Sequence, residues 1–161
     1  MEISYLGNFE YLLKHKGVKV LIRPTGTTIE SDSEPITISG PGEYEVRGVL
    51  IAGFKGDDKN IIYTYDLDGI RVAYLSEVKQ KLADKLLDWL DGVDVLLVSA
   101  QGADLVKQIG PSLVVPIDNH DKAKTEEFIK TIGLEAKKEK KLIVNKLSLP
   151  EETELVILEK K

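Results

Sequence analysis

Apolar residues recur at every second position through much of the first half of the chain, in short runs punctuated by Gly, Pro and Asp. In Phe9-Glu10-Tyr11-Leu12-Leu13-Lys14 the apolar positions 9, 11 and 13 share one face, with Leu12 the exception, which predicts a strand over 9–15 with one side buried. Comparable runs predict strands at residues 3–6, 18–22, 36–39, 44–46, 49–52, 61–65 and 70–75. Lys16-Gly17 turns the chain from the strand over 9–15 into that over 18–22. Asp68-Gly69 joins two β-rich runs and predicts a tight hairpin, because the Gly accepts the positive φ of the turn. Residues 25–35 are polar and read as a loop. Gly40-Pro41-Gly42 reads as a turn: it lacks the Gly-Lys-Ser/Thr ending of a phosphate-binding loop and opens no helix.

Beyond residue 80 the period changes. Leu82, Leu86, Leu87 and Leu90 fall at i, i+4, i+5 and i+8, one face of a helix over 82–90 that ends at Asp91-Gly92. The nearly continuous apolar runs at 93–98 and 113–115 suit strands buried on both faces. Further helices are predicted at 103–109, closed by Gly110-Pro111, and at 122–132, capped by Asp121 and stopped by Gly133. Strands follow at 142–144 and 155–158. The basic run 136–141, with four Lys among six residues, reads as a solvated turn. A strand meander followed by strands alternating with helices predicts α/β layers, two sheets packed together with helices outside.

The length of 161 residues suits one domain, 1–161, large enough to fold without staples. With no Cys, disulfides, thiolate metal sites and a Cys nucleophile are excluded. Only two His, His15 and His120, are present, so no site can use three imidazoles. The net charge of −5 argues against a nucleic-acid partner. No apolar stretch reaches the roughly 18 residues of a membrane span, and Met1-Glu2-Ile3-Ser4-Tyr5 has no secretory character, so a cytoplasmic protein without membrane contact is expected. No Gly-x-Ser-x-Gly occurs, and neither His has an evident Ser partner.

Several segments together carry a family resemblance. They are Tyr5-Leu6-Gly7, Val20-Leu21-Ile22-Arg23-Pro24, Gly40-Pro41-Gly42-Glu43-Tyr44-Glu45-Val46, the run from Asp68 to Leu75, Gly92 to Val98, and Val106 to Pro116. With the tail from Lys124 to Leu158, they resemble metallo-β-lactamase fold hydrolases, above all a small prokaryotic subfamily with a Pro-Gly-Glu-Tyr-Glu segment. The resemblance implies an αβ/βα sandwich of two mixed sheets with helices on the outside, and a metal site at the open edge between the sheets. In such hydrolases one or two zinc ions, or iron or manganese, lower the pKa of a bound water and make a hydroxide near neutral pH.

This chain departs from the family's ligand pattern at each position that can be matched. The His-x-His-x-Asp-His run is absent, and residues 36–39 pass directly into Gly40-Pro41-Gly42, as if the ligand loop were deleted. Glu77, in Leu75-Ser76-Glu77, stands where the family carries its bridging Asp, and Asp118 stands where it carries its last His. Asn8 replaces a His after Leu-Gly, and Arg23 replaces an Asp before Pro. The resemblance would gather Arg23, Glu77 and Asp118 in one region. There Arg23 could pair with either acid, as a structural ion pair or as part of a remodelled pocket. His120, in Asp118-Asn119-His120-Asp121, belongs to a loop that caps a helix or lends an imidazole to that region. His15, between two Lys, is expected to be solvated.

The function expected is that of a non-catalytic protein, a pseudoenzyme with a structural or binding role, without catalytic residues, bound metal or other cofactor. Its partner would be a second copy or an active relative. The rival is a metal-dependent hydrolase using Glu77, Asp118 and His120 with a weakly bound divalent cation such as Mg²⁺ or Mn²⁺, which prefer oxygen ligands.

Overall fold

A computed structural model describes residues 1–56, 60–78, 81–118 and 121–161. The chain opens with five strands, β1 (Glu2–Gly7), β2 (Glu10–His15), β3 (Val18–Arg23), β4 (Gly26–Glu30) and β5 (Ile36–Ile38). A four-strand meander follows, β6 (Gly42–Val46), β7 (Val49–Lys55), β8 (Ile61–Leu67) and β9 (Ile70–Leu75). Helices and strands then alternate as α1 (Asp84–Trp89), β10 (Val95–Ser99), α2 (Ala103–Ile109), β11 (Leu113–Ile117) and α3 (Lys122–Ile132). The chain closes with β12 (Ala136–Glu139), β13 (Leu142–Ile143) and β14 (Glu154–Leu158). Among the described residues no helix is long and apolar enough to cross a membrane.

These strands form two sheets. One has six strands in the order β13-β1-β2-β3-β4-β5, every neighbouring pair antiparallel. The other has eight, in the order β12-β14-β11-β10-β9-β8-β7-β6. Its first five strands run parallel, and the meander from β9 to β6 alternates in direction. The inner faces meet in one large core that includes Ile3, Tyr11, Val20, Ile22, Ile51, Tyr65, Val72, Leu97 and Val115. A second core lies on the outer face of the eight-stranded sheet, where Leu96, Val98 and Val114 pack on Leu90, Leu105, Val106 and Phe128. This accounts for the strands buried on both faces: all five residues of β10 and all five of β11 are buried. The two-sheet α/β architecture is the one expected. Helices α1, α2 and α3 all pack on the eight-stranded side, and the outward Leu12 and Leu21 of the other sheet are half-buried.

Two segments correct the sequence reading. Within 25–35, expected to be loop, residues 26–30 form β4. Thr27 and Ile29 point inward and are fully buried, while Thr28 and Glu30 point outward, so the alternation is that of a strand written partly in Thr. The basic run, expected to be a turn, begins as β12, an edge strand parallel to β14. It looks polar because an edge strand with one covered side needs few apolar residues.

Thr27 Oγ1 and the Tyr65 hydroxyl share a buried hydrogen bond of 2.5 Å that links the two sheets across the core. Thr27→Val should leave the Tyr65 hydroxyl without that partner and cost about 1–3 kcal/mol. Adding Tyr65→Phe removes the stranded group, so the double variant should lose less than the sum of the single losses. Urea unfolding of the four proteins measures the cycle, and strict additivity would show that the bond contributes nothing.

Candidate functional site

Parallel strands end at the same side of their sheet, and open α/β sheets place ligands at the carboxyl ends of such strands. Here β9, β10 and β11 run in parallel register, with Leu75 beside Val98 and Ser99 beside Ile117. The residues that follow them line one cleft of about 610 Å³: Ser76 and Glu77 after β9, Ser99 to Gln101 from β10, and Asp118 after β11. Asp121 and Lys124, from the start of α3, close one side, and Phe9 closes another.

The topology therefore brings Glu77 and Asp118 to one cleft, as the resemblance implied. It also holds them apart. β10 lies between β9 and β11, so their backbones are two strand spacings, about 10 Å, from one another. Glu77 is exposed. Asp118 is half-buried and its carboxylate accepts from the Thr125 hydroxyl. With burial, the Asp118 charge raises the Tyr5 phenol above its usual value. Asp121 caps α3 by accepting from the Lys124 amide at 3.2 Å, and its other oxygen meets Lys124 Nζ at 3.1 Å. Those contacts hold the Asp121 carboxyl below its usual range. Ser99 Oγ accepts from the Gln101 amide at 3.3 Å.

Arg23 is elsewhere. Its Nε lies 3.3 Å from Glu10 Oε1, and its Nη1 donates to Thr28 Oγ1 at 3.0 Å. The expected pairing of Arg23 with Glu77 or Asp118 is corrected: extending the β2–β3 register beyond Tyr11 and Ile22 by one residue sets Glu10 opposite Arg23 on the outward face. That neighbour could have been found in the sequence, because a two-residue turn at Lys16-Gly17 fixes the register of the hairpin. Asn8 is exposed in the β1–β2 turn, where Gly7, Asn8 and Phe9 all have positive φ, at 95°, 51° and 64°. That turn is anchored by the Tyr74 hydroxyl, which donates to the Phe9 carbonyl at 2.8 Å. His120 lies outside the described residues. His15 is not solvated as expected: its side chain is 16% exposed, with Nε2 3.3 Å from Asp68 in the β8–β9 turn. This puts it at the end of β2 away from Phe9 and the cleft.

The described donors in the cleft do not fit a zinc centre. Among the described residues no three His, Asp or Glu side chains are grouped to hold a metal ion. Among the described lining residues the metal-ligating donors are all oxygens, and two of the three carboxylates already serve the start of α3. The segment between β5 and β6, where the resemblance places a ligand loop, is three residues long, 39–41. Gly40 packs over the sheet there, its carbonyl accepting from the Tyr44 and Tyr63 hydroxyls at 3.3 and 3.4 Å.

Comparison with known proteins matches the chain to a family model and to solved structures. The sequence model of a family described as the beta-lactamase superfamily domain matches residues 27–118, more than half of the chain. A crystal structure from Thermotoga maritima, titled as a candidate Zn-dependent hydrolase of the metallo-β-lactamase superfamily, superposes with a TM-score of 0.78. It is 18% identical, and the match covers 99% of each chain. No curated protein matches the sequence.

Proposed function

The chain belongs to the β-lactamase superfamily, and from that premise we propose that it is a non-catalytic member whose metal centre has been lost and whose fold serves a binding role. One observation carries this reading: the cleft at the ends of β9, β10 and β11 holds carboxylates two strands apart, two of them engaged by α3, with no imidazole among its described lining residues. A water-activating zinc site needs several nitrogen or oxygen donors converging within about 2.0–2.2 Å of one point. The short 39–41 segment removes the stretch of chain that would carry most of them. What remains is a polar cleft suited to hydrogen-bonded contacts, in a domain whose core needs no ion to close it.

Metal analysis of protein purified without chelator or affinity tag tests the reading. The expected result is no stoichiometric zinc, iron or manganese, and no change in melting temperature on adding a chelator. A cation held at a hundred times its dissociation constant would contribute about 2.7 kcal/mol, or a fall of about 8 °C on removal. A stoichiometric metal lost in both Glu77→Gln and Asp118→Asn would instead support a hydrolase with an oxygen-ligand cation site.

A further inference from the structure

The two edges of the eight-stranded sheet carry opposite charge. At one edge β6 reads Gly-Glu-Tyr-Glu-Val, with two carboxylates and no cation. At the other, β12 and the turn after it read Ala-Lys-Lys-Glu-Lys-Lys over 136–141, with four ammonium groups and one carboxylate. Both strands pair on one side only, β6 with β7 and β12 with β14. Each therefore presents a row of unpaired backbone N–H and C=O groups.

We propose that these edges join copies of this chain head to tail, β12 of one against β6 of the next, extending the eight-stranded sheet. Three features converge on this occupant. The first is direction. β12, β14, β11, β10 and β9 are parallel, and three reversals follow through β8 and β7 to β6, so β6 runs opposite to β12. A second copy in the same orientation thus pairs antiparallel, with its helical face continuous with that of the first.

The second feature is the placing of charge on that face. Glu43 and Glu45 lie opposite Ala52 and Leu50 of β7 on the outward side, where Leu50 is 50% exposed. They rim a cleft of about 450 Å³ that Trp89 also lines. The other charges there, Asp66 and Arg71, bind one another through contacts of 2.9 and 3.1 Å. Glu43 and Glu45 have no ion-pair partner among the described residues. On β12, Lys137 is held by Glu154 at 2.7 Å, whereas Lys138 lies beside Ile157 on the helical face and has no such partner among the described residues. Across the joint the Lys138 ammonium meets Glu43 and Glu45 while its aliphatic stem covers Leu50.

The third feature is the exclusion of symmetric pairing. β6 against β6 sets Glu opposite Glu, and β12 against β12 sets Lys opposite Lys, both unfavourable. Only the heterologous joint is complementary. Such a joint repeats into a ring or an open assembly rather than stopping at a dimer. The inference goes beyond the binding role proposed above and holds whether or not the cleft takes a cation.

Sedimentation velocity of the full chain tests it. Mean mass should rise past that of a dimer with increasing concentration at about 0.02 M salt and fall back toward the monomer at about 0.5 M, where charges are screened within a few ångströms. Glu43→Lys/Glu45→Lys, with two basic edges, and Lys138→Glu/Lys140→Glu, with two acidic edges, should each weaken association about tenfold or more. Mixed in equal amounts they should associate again, since each supplies the edge the other lacks. All four side chains are exposed, so the variants should fold, and circular dichroism checks that they do. A wild-type protein that stays monomeric overturns the proposal. So does a dimer that neither variant weakens, or a mixture that fails to recover.

Discussion

Gly26→Ala should destabilise the protein by about 3–5 kcal/mol, lowering the melting temperature by about 10 °C. Gly26 opens β4 with φ at 145°, a conformation that side-chain-bearing residues rarely adopt. A Cβ built there lies 2.5 Å from the Ile38 carbonyl oxygen and 3.1 Å from the Ser39 Cα. Both are backbone atoms, at the point where the chain leaves β5 for the short segment that crosses to β6 in the other sheet. Neither can swing aside as a long side chain would. Relief requires β5 to move, and Ile38 with it, which is 5% exposed and part of the inter-sheet core. Gly48→Ala is the control. It also has a positive φ, 77°, but nothing lies within 4 Å of its Cβ, so only the left-handed conformation is penalised, by about 1 kcal/mol. Thermal melts of both variants settle the matter: equal losses would mean that the close approach of β4 to the crossing segment contributes nothing.

The same joint shows what the sequence could and could not reveal. Period and turn chemistry located the helices well, because Gly110 and Gly133 close α2 and α3 in left-handed conformations and Asp121 caps α3 as its position suggested. Only α1 differs, running from Asp84 to Trp89 rather than over 82–90, with Leu82 still packed against the core. Strand β4 was hidden because Thr carries its pattern as much as Ile does. A hydroxyl buried by pairing with Tyr65 looks polar until its partner is known. The cleft was half legible. Glu77 and Asp118 follow buried parallel strands, so their approach to one edge follows from direction alone. Their separation follows from sheet order, β9-β10-β11, which neither residue encodes locally. Arg23 pairs with Glu10 and not with a cleft acid, because the hairpin register, from His15 opposite Val18, sets Glu10 across from it whatever the resemblance implies.

Alkaline pH should unfold the protein in one cooperative step between about pH 11 and 12, and buried tyrosines are the cause. Tyr11 and Tyr65 are 2% and 0% exposed. Tyr11 packs against Tyr5, with ring centroids 5.1 Å apart, and edge-on to Tyr74 at 6.4 Å. Burial pushes both phenols well above their ordinary value. The charges of neighbouring groups add to this at Tyr11, while the Thr27 hydrogen bond only partly opposes it at Tyr65. Tyr74 is raised by burial in the same way. A phenol whose folded pKa is raised stays protonated and neutral while its unfolded counterpart ionises near pH 10. Below that pH the two states bind the same protons and nothing is lost. Above it the unfolded state binds fewer, so stability falls as pH rises, by about 1.4 kcal/mol per unit for each such tyrosine. Two of them two units above pH 10 remove about 5–6 kcal/mol, comparable with the whole stability of many domains. Exposed ion pairs contribute at most about 1 kcal/mol each, too little to account for such a loss. Phenolate absorbance at 295 nm and circular dichroism at 222 nm, followed together, should therefore change in the same narrow interval. Tyr11→Phe should make the loss of stability with pH less steep. If all the tyrosines titrated smoothly near pH 10 while the dichroism held, the phenols would have to be open to water, and the packing of the two sheets around Tyr11 and Tyr65 would be wrong.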